Sequence, residues 1–165
     1  MHKRNIFIAI FWSVIIAVFA QAADNLDLHN LIGVWQGSGG FLMPVTGIRL
    51  DIEGTAEFVD VPDSGFIKTS LHGSKFLFNY SDSGHLWIDD ATDSLTWEIW
   101  DGFGHYVTYY GVVEGSQIKG SRRKDQNMYL IEAQMIGPDS LCFRLRAGAS
   151  DNPEDKAWFN LGKMR

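Results

Sequence analysis

Residues 85–113, with the sequence HLWIDDATDSLTWEIWDGFGHYVTYYGVV, carry the pattern of three consecutive antiparallel strands. Leu95, Trp97 and Ile99 alternate with polar residues, and alternation with a period of two is typical of a half-buried strand. Leu86 and Ile88 continue the same apolar face on the strand before it. The polar stretch 89–93 between these two strands is a turn signal. The stretch therefore predicts an antiparallel meander with one apolar face and one face rich in aromatic and hydroxyl groups.

The turn around Gly102–Gly104 decides which residues of the third strand join the apolar face. If Asp101 and His105 flank this turn, Tyr109 points inward and lies beside Trp97 on the adjacent strand. A one-residue bulge in the turn would reverse the parity of the whole strand. The residues brought inside would then be Tyr106, Thr108 and Tyr110.

The rest of the chain repeats this arrangement of short alternating segments separated by turn signals. We expect one helical turn within residues 25–31, a bend or bulge at Gly54, and a turn at Ser81–Gly84. No long segment with helical periodicity follows residue 31. About ten strands of this kind predict an all-β protein, either a sandwich or, as we favour, a single antiparallel up-and-down β-barrel. The further strand segments are 31–40, 47–60, 66–71, 75–80, 117–123, 128–136, 141–147 and 157–163.

The first 22 residues have the three parts of a secretory signal peptide. A basic segment at His2–Arg4 precedes an almost wholly apolar run at Asn5–Phe19, and Ala20–Ala22 (AQA) is a small-x-small cleavage site. A membrane anchor is the alternative, but it needs about 20 apolar residues and this run is shorter. We therefore expect a signal peptide over residues 1–22, cleaved after Ala22, and one β-barrel domain over residues 23–165.

Charge and cysteine content narrow the classes of partner and compartment. Loss of Lys3 and Arg4 with the signal peptide takes the formal net charge from −6 to −8. An acidic domain of this kind is a poor partner for nucleic acid or anionic lipid. Cys142 is the only cysteine, so an intramolecular disulfide is excluded and the cleaved end carries no thiol for a lipid anchor. We expect a secreted or periplasmic protein with no membrane span after cleavage.

The motif Gly33-Val-Trp35 near the predicted mature N-terminus resembles the first strand of the calycins. These are the lipocalins, the fatty-acid-binding proteins and the nitrobindin-like haem barrels. The resemblance implies a meander barrel in which Trp35 plugs one end and a basic side chain from a late strand lies across its ring. Lys163 and Arg165 are the candidate partners, since a cation over an indole contributes about 0.5–2 kcal/mol. Gly33 and Trp35 thus have implied structural roles.

Within this resemblance, the layout is closest to the ten-stranded nitrobindin-like type. The chain ends in a strand rather than the helix usual in lipocalins. A short turn containing Pro44 replaces the two helices that fatty-acid-binding proteins insert after the first strand. The haem-ligating histidine of the nitrobindin-like type is expected near the last strand, and residues 156–163 contain none. We therefore predict no stoichiometric haem binding by that route and no other cofactor.

The polar residues do not form a recognisable catalytic or metal-binding motif. His29, His72, His85 and His105 occur singly, without the paired spacing of a zinc site. The chain has no nucleophile elbow of the GxSxG kind and no cysteine–histidine motif. We expect no metal site and no enzyme activity.

Aromatic residues supply the candidate ligand-binding positions. Trp97 and Tyr109 are predicted to be inward-facing neighbours that either grip a flat ligand or fill the core. Trp100 and Tyr110, on the hydroxyl-rich face, are further candidates. Arg144 would pair with a ligand carboxylate if it faces inward, whereas an outer position would leave it solvated.

The leading hypothesis is an exported, lipocalin-like barrel that binds a small apolar or amphipathic molecule non-covalently. The alternative is an interaction module of the envelope, with a filled barrel and a binding surface outside. A cavity above about 300 Å³ lined by aromatic residues would favour the binding protein.

Overall fold

The computed structural model describes residues 27–43, 46–75, 78–149 and 153–165, and their strands form one closed antiparallel barrel. Neighbouring strands in the sequence are neighbours in the barrel, and β1 pairs with β10 to close it. The prediction of an all-β up-and-down barrel is thereby confirmed. The strands are β1 Gly33–Leu42, β2 Arg49–Val61, β3 Phe66–Lys75, β4 Phe78–Asp89, β5 Ser94–Asp101, β6 Tyr106–Glu114, β7 Gln117–Lys124, β8 Asn127–Gly137, β9 Ser140–Ala149 and β10 Glu154–Lys163.

The predicted signal peptide and the predicted start of the barrel domain, within residues 1–26, lie outside the described residues. The predicted helical turn is present as a single 3₁₀ turn, Leu28–Leu31, capped by the Asp27 carboxylate, which accepts from the backbone N–H of His29. Within the described ranges, no helix has the length and apolar character needed to cross a membrane.

Two local predictions were wrong because pairing across the sheet overrides local propensity. The stretch Ser81–Gly84 is not a turn but the middle of β4, where it pairs with β3 through Ser83 and Ser70. Gly54 makes no bulge, since it pairs in unbroken register with Gly37 and Gly73 on the strands to either side. A Cβ at Gly54 would stand 2.6 Å from the ring of Phe159, so the glycine is needed there for packing.

One end of the barrel is closed by a layer of buried side chains centred on Trp35. The indole of Trp35 is fully buried, and its Nε1 donates to the carbonyl of Leu31 at 2.7 Å, in the 3₁₀ turn that covers this end. Because these side chains fill this end of the barrel, it has no room for a ligand there. The other fully or almost fully buried members of the layer include Phe58, Ile67, Leu86, Leu95, Ile118, Ala133, Leu141 and Leu161.

Lys163, and not Arg165, is the cation that lies across Trp35. Lys163 is the cross-strand partner of Trp35, and its Nζ lies 5.1 Å from the centre of the indole ring while donating to the carbonyl of Asn30 at 3.1 Å. Arg165 lies beyond the end of β10 with its side chain 92% exposed, and it reaches Asp139 instead. The candidate role for Arg165 was therefore wrong, because β10 ends before the arginine can turn over the barrel.

Gly33 has a specific reason to be glycine. Its φ of +132° lies in a region that L side chains rarely adopt, and a Cβ there would stand 2.9 Å from Cε of Lys163. The glycine and the tryptophan of the Gly33-Val-Trp35 motif therefore serve the same contact: one leaves room for the lysine and the other binds it.

Candidate functional site

The end of the barrel opposite Trp35 contains an open cavity of about 650 Å³. It is bounded by the last residues of the odd-numbered strands and the first residues of the even-numbered strands. A separate void of about 30 Å³ lies deeper, under Trp97, and is large enough for about one water molecule. The barrel is thus filled at one end and hollow at the other.

The wall of the cavity has an apolar half and a polar half. Strands β9, β10, β1 and β2 form a mainly apolar half, which also includes Glu154 and Lys156 of β10. Strands β4 to β8 form a half that carries the other polar groups beside Ile99, Val107 and Ile131. A ligand that fits both must be amphipathic. The apolar half presents Phe41, Ile52, Phe143, Leu145, Ala147, Ala157 and Phe159; the polar half presents Tyr80, Asp82, Asp101, Tyr109, Arg122 and Tyr129.

Arg122 is the cation of the polar half, and aromatic rings rather than a carboxylate hold it. Its guanidinium carbon lies 4.5 Å from the ring centre of Tyr129 and 5.7 Å from that of Tyr109. Its Nε is buried and has no hydrogen-bond partner among the described residues. No acidic side chain in the described ranges lies within 4.0 Å of it. A partly buried guanidinium without an anion has the chemistry to pair with an acidic group.

Asp82 is one of two acids in the polar half, and although it is only half-buried, its environment disfavours the charged form. Burial raises the pKa of Asp82 to about 7, despite a hydrogen bond that the Tyr80 hydroxyl donates to Oδ2 at 3.2 Å. Its direct cross-strand partner is Asp101, whose charge adds to the effect. Near neutral pH the Asp82 carboxyl is therefore in part a hydrogen-bond donor facing the cavity.

Asp101 has a different environment from Asp82, although the two are cross-strand neighbours. Burial raises the pKa of Asp101, but hydrogen bonds from the backbone N–H groups of His105 and Phe103, and from the His105 ring, outweigh it and hold the pKa below its usual range. Burial also raises the pKa values of Tyr80 and Tyr109. The cavity wall thus contains one ionised aspartate and one that readily takes up a proton.

Trp97 and Tyr109 lie inside the barrel as predicted. They are direct cross-strand partners, each 4% exposed, and the backbone N–H of Asp101 donates to the carbonyl of His105 at 2.9 Å, so these two residues flank the turn. Their positions differ, however. Tyr109 lines the open cavity, whereas Trp97 packs against Phe143 below it and donates its Nε1–H to Thr69 at 3.2 Å.

Three candidate ligand-binding residues do not reach the interior. Trp100 and Tyr110 lie on the outer surface with 41% and 65% of their surface exposed, because their parity is opposite to that of Trp97 and Tyr109. Arg144 is also exposed on the outer face. For Trp100 and Tyr110 this is the outward parity that the sequence predicted, and for Arg144 it is the outer of the two alternatives. None of the three lines the cavity, and a ligand-binding role for them stays a prediction.

Sequence reasoning missed Arg122, Asp82 and Tyr80. The signal for Arg122 was present, since it shares the parity of Ile118 on β7 and so had to face inward. Tyr80 and Asp82 likewise share the parity of Leu86 and Ile88, but the expected turn at 81–84 interrupted that alternation.

The cavity does not fit the haem of the nitrobindin-like type by that family's route. None of its lining residues is a histidine, and β10 contributes Glu154, Lys156, Ala157 and Phe159 to the cavity. Within the described part of the chain, no three His, Cys, Asp or Glu side chains come together as a metal site.

Comparisons with known proteins support the barrel fold and do not indicate a function. No protein-family model matches the sequence, and no curated protein sequence matches it. Rv2717c from M. tuberculosis is similar in structure, with a TM-score of 0.66 and 16% identity over 84% of this chain and 95% of that chain. A protein of unknown function from the DUF3598 family of Nostoc punctiforme has a TM-score of 0.60 and 12% identity over 85% of this chain, which spans 50% of that protein. Likeness at this identity shows a shared barrel fold, and membership of the calycins stays a prediction.

Proposed function

We propose that this protein is an exported binding protein that holds a small amphipathic molecule, non-covalently, in the open half of its barrel. The observation that carries the proposal is the cavity of about 650 Å³ with one apolar wall and one polar wall. Ligand sites are typically concave, mostly apolar and of about 300–1,000 Å³, with a few polar groups that orient the ligand. The alternative of an interaction module requires a filled interior, and the open half of this barrel is hollow.

The chemistry of the walls specifies the ligand further. Its apolar part would pack against Phe41, Phe143 and Phe159, since burial of apolar surface contributes about 25 cal/mol per Å². Its acidic or carbonyl-bearing part would face Arg122 and, near neutral pH, a protonated Asp82. Binding of this kind needs no catalytic group, and we infer no enzyme activity.

The part of the proposal that concerns export rests on the sequence alone. The basic segment, apolar run and AQA site of residues 1–22 support a cleaved signal peptide and hence a secreted or periplasmic location.

The cavity can be tested with 8-anilinonaphthalene-1-sulfonate, a flat apolar probe with one acidic group. Fluorescence titration should show saturable binding of one probe per barrel. Ala147→Trp should abolish it, because Ala147 lines the cavity and an indole would fill part of the space. Ala149→Trp is the matched control, since Ala149 lies on the same strand, is exposed and is not part of the cavity wall.

The results of this titration distinguish a site in the cavity from a site elsewhere and from a barrel that binds no ligand. Equal probe affinity in the two variants would place the site outside the cavity, and no binding by the unaltered protein would oppose a ligand-binding barrel. Native mass spectrometry of the protein purified from its own host would then identify the mass of any natural ligand.

A further inference from the structure

The outer surface of β2 to β5 carries a second concave feature, which opens outside the barrel and shares Asp82 and Asp101 with the lining of the cavity. It is a groove of about 720 Å³ that crosses the strands. Five residues form a row that runs across the strands at this groove. Each of them is the direct cross-strand partner of the next one on the neighbouring strand. They are Glu57 on β2, Ser70 on β3, Ser83 on β4, Trp100 on β5 and Tyr106 on β6.

The shape of the groove follows from the sizes of these side chains. Ser70 and Ser83 are small and make a low floor in the middle of the row. Trp100 stands as a wall on one side, and Glu57 with Val59 stands on the other. The groove therefore results from a large–small–small–large pattern across four strands.

The aromatic wall is held in place although it is exposed. The ring of His85 meets Trp100 edge-on with a centroid distance of 5.2 Å, and the ring of Tyr106 lies 5.0 Å from it on the other strand. Tyr106 is in turn anchored by a hydrogen bond from its hydroxyl to the Glu98 carboxylate. Trp100 nevertheless keeps 41% of its surface exposed. A large, fixed and solvent-facing aromatic side chain is a typical recognition element, because binding costs it little conformational entropy.

The polar groups of the groove are mixed in kind and in sign. Ser70, Ser81 and Ser83 each offer a hydroxyl that both donates and accepts, and His72 adds a ring with the same capacity. Its charged lining residues are the acids Glu57, Asp82 and Asp101 and the cation Lys68, so both signs are present and the acids are in excess. With the acidic net charge of −6, this excludes a nucleic acid and gives no preference for a simple anion.

We propose that this groove is a binding site for a neutral oligosaccharide. A sugar ring has an apolar C–H face that stacks on an indole and a rim of hydroxyls that donate and accept in turn. Trp100 matches the first property, and the serines with Glu57, Lys68 and His72 match the second. Because the groove is open at the surface and crosses several strands, it suits an extended chain of sugar units rather than a compact molecule. The site opens on the outer surface, and the sugar proposal does not rest on the ligand proposed for the cavity.

The test is isothermal titration calorimetry of the purified protein with cellopentaose, maltopentaose and the pentamer of N-acetylglucosamine. At least one of them should bind, and Trp100→Ala should weaken its binding about tenfold or more. Tyr110→Ala is the matched control, since Tyr110 is an exposed aromatic of the same outer face that does not line the groove. It should leave the affinity unchanged.

A second variant, Ser83→Phe, controls for the possibility that Trp100→Ala impairs folding. Ser83→Phe keeps the aromatic wall but fills the floor of the groove, and it should also abolish binding while circular dichroism stays unchanged. Binding of 8-anilinonaphthalene-1-sulfonate inside the barrel should be the same in all three variants.

Several results would overturn the proposal. One is the absence of binding to any of the three sugars, and another is a sugar affinity that neither groove variant alters. Competition between the sugar and the anilinonaphthalene probe would assign the sugar to the cavity instead. Self-association seen by sedimentation and lost in Trp100→Ala would make this face a protein interface and not a sugar site.

Discussion

Replacement of Asp82 by asparagine should stabilise the protein at alkaline pH and change it little in acid. The carboxyl lies in the polar wall of the cavity opposite Asp101, and burial raises its pKa from the ordinary value of 3.8 to about 7. Asparagine has nearly the same shape, cannot ionise, and keeps an oxygen that accepts from the Tyr80 hydroxyl. The substitution therefore isolates the cost of the charge.

The sign follows from comparing the folded and unfolded states. A raised pKa means that the folded protein holds the Asp82 proton more tightly than the unfolded chain does. The contribution to stability is therefore complete below pH 3.8, declines as the pH rises towards 7, and is lost above it. A difference of about three pKa units corresponds to at most about 4 kcal/mol. Since Asp82 is only half-buried, water screens part of this, and we expect a loss of about 1–3 kcal/mol between pH 4.5 and pH 8.5.

The assay is urea unfolding of both proteins at these two pH values. The gain in the free energy of unfolding on Asp82→Asn should be about 1–3 kcal/mol larger at pH 8.5 than at pH 4.5, and titration of the other acids cancels in this difference. Asp89→Asn is the control, because Asp89 is exposed and hydrogen bonds from Thr92 and Ala91 lower its pKa. It should give no alkaline gain. An Asp82→Asn effect that is the same at both pH values would refute the reasoning.

Three further predictions concern the closed end, the cavity and the N-terminus. Trp35→Ala should lower the free energy of unfolding by about 3–5 kcal/mol in urea titrations, the usual cost of truncating a buried aromatic residue; an unchanged midpoint would contradict the plug role. Arg122→Met should weaken binding of the anilinonaphthalene probe about tenfold, and Arg123→Met, which removes an exposed charge from the next position, should not. N-terminal sequencing should show Ala23 as the first residue of the exported protein. A membrane-bound chain that begins at Met1 would contradict the export prediction.

The barrel itself was predictable because alternation with a period of two survives along most strands. The inward position of Trp97 followed from alternation, whereas that of Tyr109 depended on Asp101 and His105 flanking the turn, which the hydrogen bond between their backbones confirms. The plug at Trp35 followed from a short motif, and its choice of Lys163 over Arg165 depended on where β10 ends, which the sequence pattern left open.

The cavity wall was harder to predict because local composition is misleading at β4. Residues 81–84 have the serine, aspartate and glycine content of a turn, yet β3 and β5 hold them in an extended strand from both sides. This error hid the inward parity of Asp82. The cation of the cavity was missed for a different reason. The candidate Arg144 alternates with the apolar residues of β9 and faces outward, one of the two predicted alternatives, whereas Arg122 replaces an apolar residue on the inner face of β7. An inward charge breaks the very alternation from which inward positions are recognised.

The pairing of β1 with β10 also sets the order in which the protein can complete its fold. All other pairs join strands that are adjacent in the sequence, so nine strands can assemble as successive hairpins while the chain is still being made. The edge of β1 stays unpaired until β10 has emerged, and Lys163, which covers Trp35, is the last residue of that strand. A chain interrupted before β10 would therefore expose both a free sheet edge and an uncovered plug, the two features that promote aggregation.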